Sequence, residues 1–139
     1  MKAFRAIQRW AVACVGIPAL AFAADYEYSV NPADTNTITI TLYTGAGGAV
    51  NIPAAIDGKT VTILGSGSFS VASLTAVTIP DSVETIAQGA FQPGRRTALA
   101  RVAMGTGVTN VEQNAFASCT NLSEVLIGPA VRTIGDQAF

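Results

Sequence analysis

One arrangement of apolar positions occurs three times in the second half of the chain. Each copy carries a leucine, a pair of apolar residues two positions apart, two further aliphatic residues and a terminal Ala-Phe. The copies are Leu74, Val77, Ile79, Val83, Ile86, Ala90 and Phe91; Leu99, Val102, Met104, Val108, Val111, Ala115 and Phe116; and Leu122, Val125, Ile127, Val131, Ile134, Ala138 and Phe139. The copies are offset by 25 and then 23 residues. A period in this range predicts a solenoid, in which each unit buries its apolar face against its neighbours.

The apolar pair in each copy predicts a short strand, because side chains two residues apart lie on the same face of a strand. An earlier and longer copy begins at Val50 and has four extra residues at 57–60, where Asp57-Gly58 predicts a tight hairpin turn. The pairs are Val50 and Ile52, Val77 and Ile79, Val102 and Met104, and Val125 and Ile127. We expect four parallel strands that pair in this order. The segments before each Ala-Phe are expected to form short helical or 3-10 turns that place the ring in the core.

Two alternating segments precede the repeats and predict strands with one buried face. The first has Tyr26, Tyr28 and Val30 on one side, and the second has Ile38, Ile40 and Leu42 on one side. We expect residues 24–48 to form an N-terminal β cap over the first coil, and residues 49–139 to form a solenoid of about four repeats. Phe139 ends the last copy where the other copies continue. We therefore expect a fragment or a truncated reading frame, whose uncapped C-terminal coil self-associates.

Residues 1–23 have the composition of a secretory signal peptide. Its three parts are the basic residues Lys2, Arg5 and Arg9, the apolar run from Trp10 to Leu20, and the small-residue site Ala21-Phe22-Ala23. The apolar run is too short for an anchor helix, so no membrane insertion is expected after cleavage. Cys14 leaves a lipid-anchored alternative open. The expected location is outside the cell, either secreted or at the cell surface.

Charge and residue types exclude several function classes. After cleavage the chain keeps five of its eight basic residues and all nine acidic residues, so it is mildly acidic and is not expected to bind nucleic acid or an anionic membrane. It has no histidine, and Cys119 is its one remaining cysteine, so neither an activated nucleophile nor a disulfide is expected. Its acids occupy different repeat positions, so no metal site and no cofactor are expected. A hydrolase with a site on the solenoid is the enzyme alternative.

The repeat, written Leu-x-x-Val-x-Ile-Pro-x-x-Val-x-x-Ile-(Gly)-x-x-Ala-Phe-x-x-Cys-Thr-x-Leu, resembles the BspA-type bacterial leucine-rich repeats over roughly Val50 to Phe139. The resemblance implies a curved right-handed solenoid, mainly β, exported to the cell surface or beyond. It also implies adhesion to host or neighbouring-cell proteins and no catalysis. Family units have glycine after the isoleucine, as at Gly65 and Gly135, whereas Ala87 and Glu112 stand there in the other two copies. We expect that this position does not need positive φ.

The partner-binding candidates are the residues that flank the inward valines on the concave face of the predicted sheet. They form two columns, namely Ala76, Arg101 and Glu124, and Thr78, Ala103 and Leu126. Arg101 and Glu124 should be lateral neighbours about 4.8 Å apart. One interpretation is a patch that binds an extracellular or cell-surface protein; the other is an ordinary ion pair on a solvated sheet. A passive structural spacer is the alternative function, and the loops at Asp57-Gly58 and Arg95-Arg96 are alternative binding sites.

Overall fold

The computed structural model describes residues 25–71, 73–93 and 97–139, so the expected signal peptide and the Arg95-Arg96 loop lie outside the described residues. Two sheets enclose one apolar core. Their strands are β1 Tyr26–Asn31, β2 Asp34–Tyr43, β3 Gly48–Asn51, β4 Ala55–Ile56, β5 Lys59–Leu64, β6 Leu74–Thr78, β7 Thr85–Ile86, β8 Arg101–Ala103, β9 Asn110–Val111, β10 Glu124–Leu126 and β11 Thr133–Ile134. Within these ranges, no helix has the length and hydrophobicity needed to cross a membrane.

The four-stranded sheet contains the strands that the apolar pairs predict. Its order is β10-β8-β6-β3 and all its neighbours are parallel, with the four inward valines in register. The coils are joined at the strand ends by backbone hydrogen bonds, such as Ile79 N to Ala103 O at 2.8 Å. Gly128 allows the last two coils to approach closely, because a Cβ there would lie 2.3 Å from the carbonyl oxygen of Gly105. The predicted strand order and register are confirmed.

The seven-stranded sheet is not predicted by the apolar periodicity. Its order is β1-β2-β5-β7-β9-β11, and β4 pairs separately with β5. The strands β7, β9 and β11 have two residues each and pair in parallel, with Thr85 beside Asn110 and Ile86 beside Val111. Each coil therefore contributes one strand to each sheet, and the core lies between the two.

The extra residues of the first coil form the predicted hairpin between β4 and β5. Asp57 and Gly58 have φ values of 50° and 75°, as a type I′ turn requires. The hydroxyl of Tyr28 donates a hydrogen bond to Asp57 Oδ2 at 2.7 Å, and Lys59 Nζ donates to the carbonyl oxygen of Thr35 at 2.6 Å. These two bonds fasten the hairpin to the neighbouring strands.

The segments before each phenylalanine form hydrogen-bonded turns where helical or 3-10 turns are expected, so the solenoid contains almost no helix. The residue two positions before each ring has positive φ, which a right-handed helix does not accommodate. These residues are Gly67 at 65°, Gly89 at 61°, Asn114 at 57° and Gln137 at 54°. Ala87 and Glu112 do not have positive φ, and this confirms the expectation for the position after the isoleucine.

Six aromatic rings follow one another in a continuous row, which we call the aromatic ladder. Its members are Tyr26, Tyr43, Phe69, Phe91, Phe116 and Phe139, and successive ring centroids are 5.2, 5.5, 4.9, 4.8 and 5.3 Å apart. Phe69, Phe91 and Phe116 are almost fully buried, whereas Phe139 is 50% exposed. The ladder places one ring in every coil and continues into the N-terminal hairpin.

The first two strands form as predicted, but the predicted inward positions of Val30 and Leu42 are wrong, and Val30 is 42% exposed. The strands β1 and β2 pair antiparallel with a register shift that leaves Thr41 as an extra residue, because Glu27 pairs with Leu42 and Tyr28 pairs with Ile40. The shift turns Leu42 outward, where it is 40% exposed, and turns Tyr43 inward. Tyr43 thereby stacks on Phe69, so a larger apolar surface is buried than Leu42 could offer.

Candidate functional site

The outer face of the four-stranded sheet brings together all six predicted partner-binding residues. Their strands pair directly, so each residue lies beside its counterpart on the next coil. The first column is Ala49, Ala76, Arg101 and Glu124, and the second is Asn51, Thr78, Ala103 and Leu126. Thr78, Arg101, Glu124 and Leu126 are exposed, and Ala76 and Ala103 are half-buried. We call this set of eight residues the outer columns.

Ala49 and Asn51 are members of the outer columns that the sequence reading did not include. A signal for them was present, because Val50 and Ile52 were predicted to face inward on the same strand. Residues on either side of an inward residue point outward. The strand β3 therefore extends the face by one coil toward the N-terminus.

Arg101 and Glu124 form the predicted cross-strand ion pair. Arg101 Nε donates a hydrogen bond to Glu124 Oε2 at 2.6 Å, and the two side chains are 65% and 45% exposed. An ion pair this accessible to water contributes well under about 1 kcal/mol to folding, because solvent screens the charges. Its charges remain available to a partner, whose approach they can steer.

Leu126 is the one large apolar side chain of the outer columns, and it is 57% exposed. Its neighbour across the strands is Ala103, and the next residue in that column is Thr78. The N-terminal half of the face therefore carries small or uncharged side chains. The charged and large apolar groups of the outer columns lie on β8 and β10.

Two acidic side chains outside the outer columns bind backbone amides of adjacent coils. Asp81 Oδ1 accepts a hydrogen bond from the amide of Thr106 at 2.6 Å, and this bond lowers the pKa of Asp81 below its ordinary value. Glu112 Oε2 accepts one from the amide of Gln88 at 2.9 Å. In the described part of the chain, no three His, Cys, Asp or Glu side chains come together as a metal site would require. These carboxylates fasten coils to one another.

Cys119 is half-buried in the last connecting turn and is a free thiol. Its Sγ donates a hydrogen bond to the carbonyl oxygen of Phe91 at 3.4 Å, and burial raises the pKa of the thiol to about 11. The thiol is therefore protonated at neutral pH, as expected for a packed small residue. It lines a cavity of about 260 Å³ with Phe116, Ser118, Thr120, Leu122 and Phe139, none of which is charged.

The alternative loop sites differ in what the structure describes. The Asp57-Gly58 turn projects from the seven-stranded sheet, and Asp57 is already bonded to Tyr28. Arg95 and Arg96 lie outside the described residues. The Asp57-Gly58 turn does not adjoin the outer columns through strand pairing.

Comparison with known proteins gives one matching family. The model described as BspA type leucine rich repeat region matches residues 49–139 in six copies. No curated protein sequence matches the chain.

Solved structures of leucine-rich repeat proteins are similar to this chain. One from T. pallidum is 33% identical with a TM-score of 0.76, over 81% of this chain and 52% of that protein, so this chain spans about half its length. One from Bacteroides capillosus is 27% identical with a TM-score of 0.67, over 79% of this chain and 83% of that chain. A third, from Bacteroides ovatus, is 20% identical with a TM-score of 0.71, over 83% of this chain and 31% of that chain, and shows the fold alone.

Proposed function

The chain belongs to the BspA type leucine-rich repeat family, and on this basis we propose that it is an exported, non-enzymatic adhesion module. Its partner would be a protein on a host cell or a neighbouring cell. Stacked repeats present an extended surface of the kind that solenoid proteins use for binding. The candidate surface is the set of outer columns.

Export is supported by the sequence of residues 1–23. The basic start, the apolar run and the small residues before Ala24 are the three parts of a secretory signal. A protein sent out of the cell meets other proteins and surfaces directly, and the acidic balance of the mature chain makes nucleic acid an unsuitable partner. Binding to a protein is therefore the interaction that we propose.

One observation carries the choice of face: the register places Arg101, Glu124 and Leu126 on adjacent strands with their side chains exposed. An accessible apolar side chain beside two charges has the composition of a small protein-binding patch, because the apolar group is desolvated and the charges select the partner. We infer that β8 and β10 carry most of the binding energy.

The test uses fluorescent microspheres coated with residues 24–139 and applied to epithelial monolayers and to bacterial cells. The double variant Arg101→Glu, Leu126→Asp is expected to abolish adhesion while leaving the circular dichroism spectrum unchanged. The matched control is Arg132→Glu, Leu42→Asp, which makes the same chemical changes at exposed positions associated with the seven-stranded sheet. This control is expected to adhere like the wild type. Adhesion that survives the first variant would move the site away from the outer columns.

A passive spacer is the second candidate function, and the small side chains of Ala49, Ala76 and Ala103 favour it. A spacer needs a regular stack and no particular outward residue. It predicts that the wild-type microspheres adhere no better than microspheres coated with an unrelated protein. Adhesion lost specifically in the Arg101→Glu, Leu126→Asp variant would exclude it.

A further inference from the structure

The two sheets end at different heights at the N-terminal end of the solenoid. The first coil contributes β3 to one sheet and β5 to the other. The seven-stranded sheet continues past β5 through β2 and β1, whereas the four-stranded sheet stops at β3. Among residues 25–71, 73–93 and 97–139, no strand pairs with the outer edge of β3. The N-terminal hairpin therefore projects beyond β3 by two strand spacings, or about 10 Å.

Within the part of the chain that the structure describes, the outer edge of β3 presents backbone groups without a hydrogen-bond partner. The amide of Gly48 donates a hydrogen bond to the carbonyl oxygen of Ser73, the residue before β6, at 2.9 Å. The amide of Ile52 donates to the carbonyl oxygen of Thr78, within β6, at 3.0 Å. Residues of a parallel strand alternate between its two sides, so the N–H and C=O groups of Ala49 and Asn51 point away from β6. A row of this kind is a template for another strand.

The edge is also accessible and short. A Cβ built on Gly48 would have no atom within 4 Å, and the side chains of Ala49 and Asn51 are exposed and uncharged. Gly47 and Gly48 have φ values of 87° and 75°, which are not strand conformations, and Pro53 has no N–H to donate. These three residues limit the pairing edge to residues 49–52.

We propose that this edge binds an extended polypeptide segment of a second protein as an added strand. Unpaired N–H and C=O groups are satisfied by the backbone of an extended chain, so the partner would be recognised mainly by its conformation, with tolerance of its side chains. A single added strand fits in the space beside β3 that lies next to the projecting N-terminal hairpin. A second copy that paired antiparallel in the same sheet would bring its own hairpin into that space, so we do not assign the edge to a homodimer.

This inference goes beyond the proposed function because it concerns the edge of the sheet and not its outer face. The variants that test the two differ, so either result can fail alone. An edge that binds peptide is compatible with a protein whose outer columns bind nothing.

The probe is a labelled synthetic peptide with the sequence of residues 73–79, which contains β6, the strand that pairs with β3 in the native fold. Two analogues carry N-methyl groups on alternate residues, one set on each side of the extended peptide. Fluorescence anisotropy with residues 24–139 is expected to show binding of the unmodified peptide. One analogue should lose at least about tenfold in affinity, and the other should stay within about threefold, because only one side of an added strand pairs with β3.

A protein variant locates the binding. Ala49→Pro removes the outward N–H and leaves the side that pairs with β6, since proline is tolerated in edge strands where its nitrogen faces solvent. It is expected to lose peptide binding, whereas the matched control Ala49→Ser retains the N–H and should bind normally. If Ala49→Pro does not fold, the proposal is tested by the two N-methylated peptides and by the hydrogen-exchange rates of the Ala49 and Asn51 amides. Both amides should exchange more slowly when the peptide is bound.

Several results would overturn the proposal. These are no binding up to about 1 mM peptide, equal weakening by the two N-methyl analogues, and unchanged binding by a folded Ala49→Pro variant. A concentration-dependent dimer of the wild type that Ala49→Pro abolishes would also overturn it, because it would assign the edge to a second copy of this chain.

Discussion

Truncating Phe91 should remove the centre of the aromatic ladder. The ring is 2% exposed and stacks between Phe69 and Phe116, with centroid distances of 4.9 and 4.8 Å. The coils on either side are held apart by backbone hydrogen bonds, including Phe91 N to Ala115 O at 2.8 Å, so the chain cannot close over the gap. Large aromatic truncations in packed cores cost about 3–5 kcal/mol. Because two stacked pairs of about 0.5–1.5 kcal/mol each are lost, we expect Phe91→Ala to cost about 4–5 kcal/mol.

Urea denaturation followed by circular dichroism measures this loss in the free energy of unfolding. Fluorescence of tryptophan does not serve, since Trp10 is the only tryptophan and lies outside residues 24–139, the protein used for the measurement. Phe139→Ala is the control, because that ring is 50% exposed and stacks on one neighbour at 5.3 Å. It should cost about 1–2 kcal/mol. A loss below about 1 kcal/mol for Phe91→Ala, or equal losses for the two variants, would refute the reasoning.

A domain of this size has about 5–15 kcal/mol of stability, so Phe91→Ala approaches the limit of folding. Phe91→Leu keeps part of the apolar volume and loses both ring pairs. It is expected to cost about 1–3 kcal/mol and to remain measurable if the alanine variant does not fold. Phe91→Ala should lose more unfolding free energy than Phe91→Leu, because it removes more side-chain volume from the core.

Three further outcomes follow from the contacts between coils. In a double-mutant cycle, Arg101→Ala and Glu124→Ala should show a coupling below about 1 kcal/mol, because both side chains are exposed; a larger value would mean that the pair is shielded. The hydrogen bond from the Thr106 amide lowers the pKa of Asp81. The carboxylate of Asp81 therefore stabilises the folded state above the ordinary carboxyl pKa, and this contribution is lost as the pH falls through the lowered pKa of Asp81. Asp81→Asn should therefore lose less stability than the wild type between about pH 6 and pH 2 in urea titrations, and equal losses would contradict this. Since the pKa of Cys119 is raised to about 11, roughly one thiol in a thousand is ionised at pH 8, and an aromatic disulfide reagent should react far more slowly with the folded chain than with the chain in urea.

The four-stranded sheet could be predicted from sequence because its signal is repeated. Val77 and Val102 keep the same neighbours in every copy, so one assignment of inward residues determines the register of all the strands. The outer columns follow from that register without further information, and the structure brings their residues together as expected. Partner binding by these residues does not follow from the register, because small outward residues such as Ala76 and Ala103 are compatible with many surfaces and with none.

The second sheet could not be predicted in the same way. Two-residue strands such as Thr85–Ile86 are too short to show an alternation, and they pair only because stacking aligns them with the next coil. The turns before each ring had a partial signal. Gly67, Gly89 and Asn114 are residue types that adopt positive φ readily, but Gln137 is not, so composition alone does not identify the position.

The shift between β1 and β2 shows how packing overrides alternation. Ile38, Ile40 and Leu42 have a regular two-residue spacing, and that spacing alone predicts that all three face inward. One extra residue at Thr41 reverses the sides and puts Tyr43 against Phe69. The gain comes from a contact with a residue 26 positions away, and no local pattern contains it.

The parallel pairing between coils also determines how the molecule responds to mechanical load. The hydrogen bonds that join β3 to β6 and β6 to β8 run from one coil to the next, along the axis of the stack. A force applied to the two ends therefore breaks these hydrogen bonds one after another and does not load all of them in shear at the same time. The coil of 23 residues releases about 80 Å of extended chain when it opens. In the adhesion module that we propose, tension would therefore lengthen the solenoid in steps and limit the force that reaches its contact with another surface.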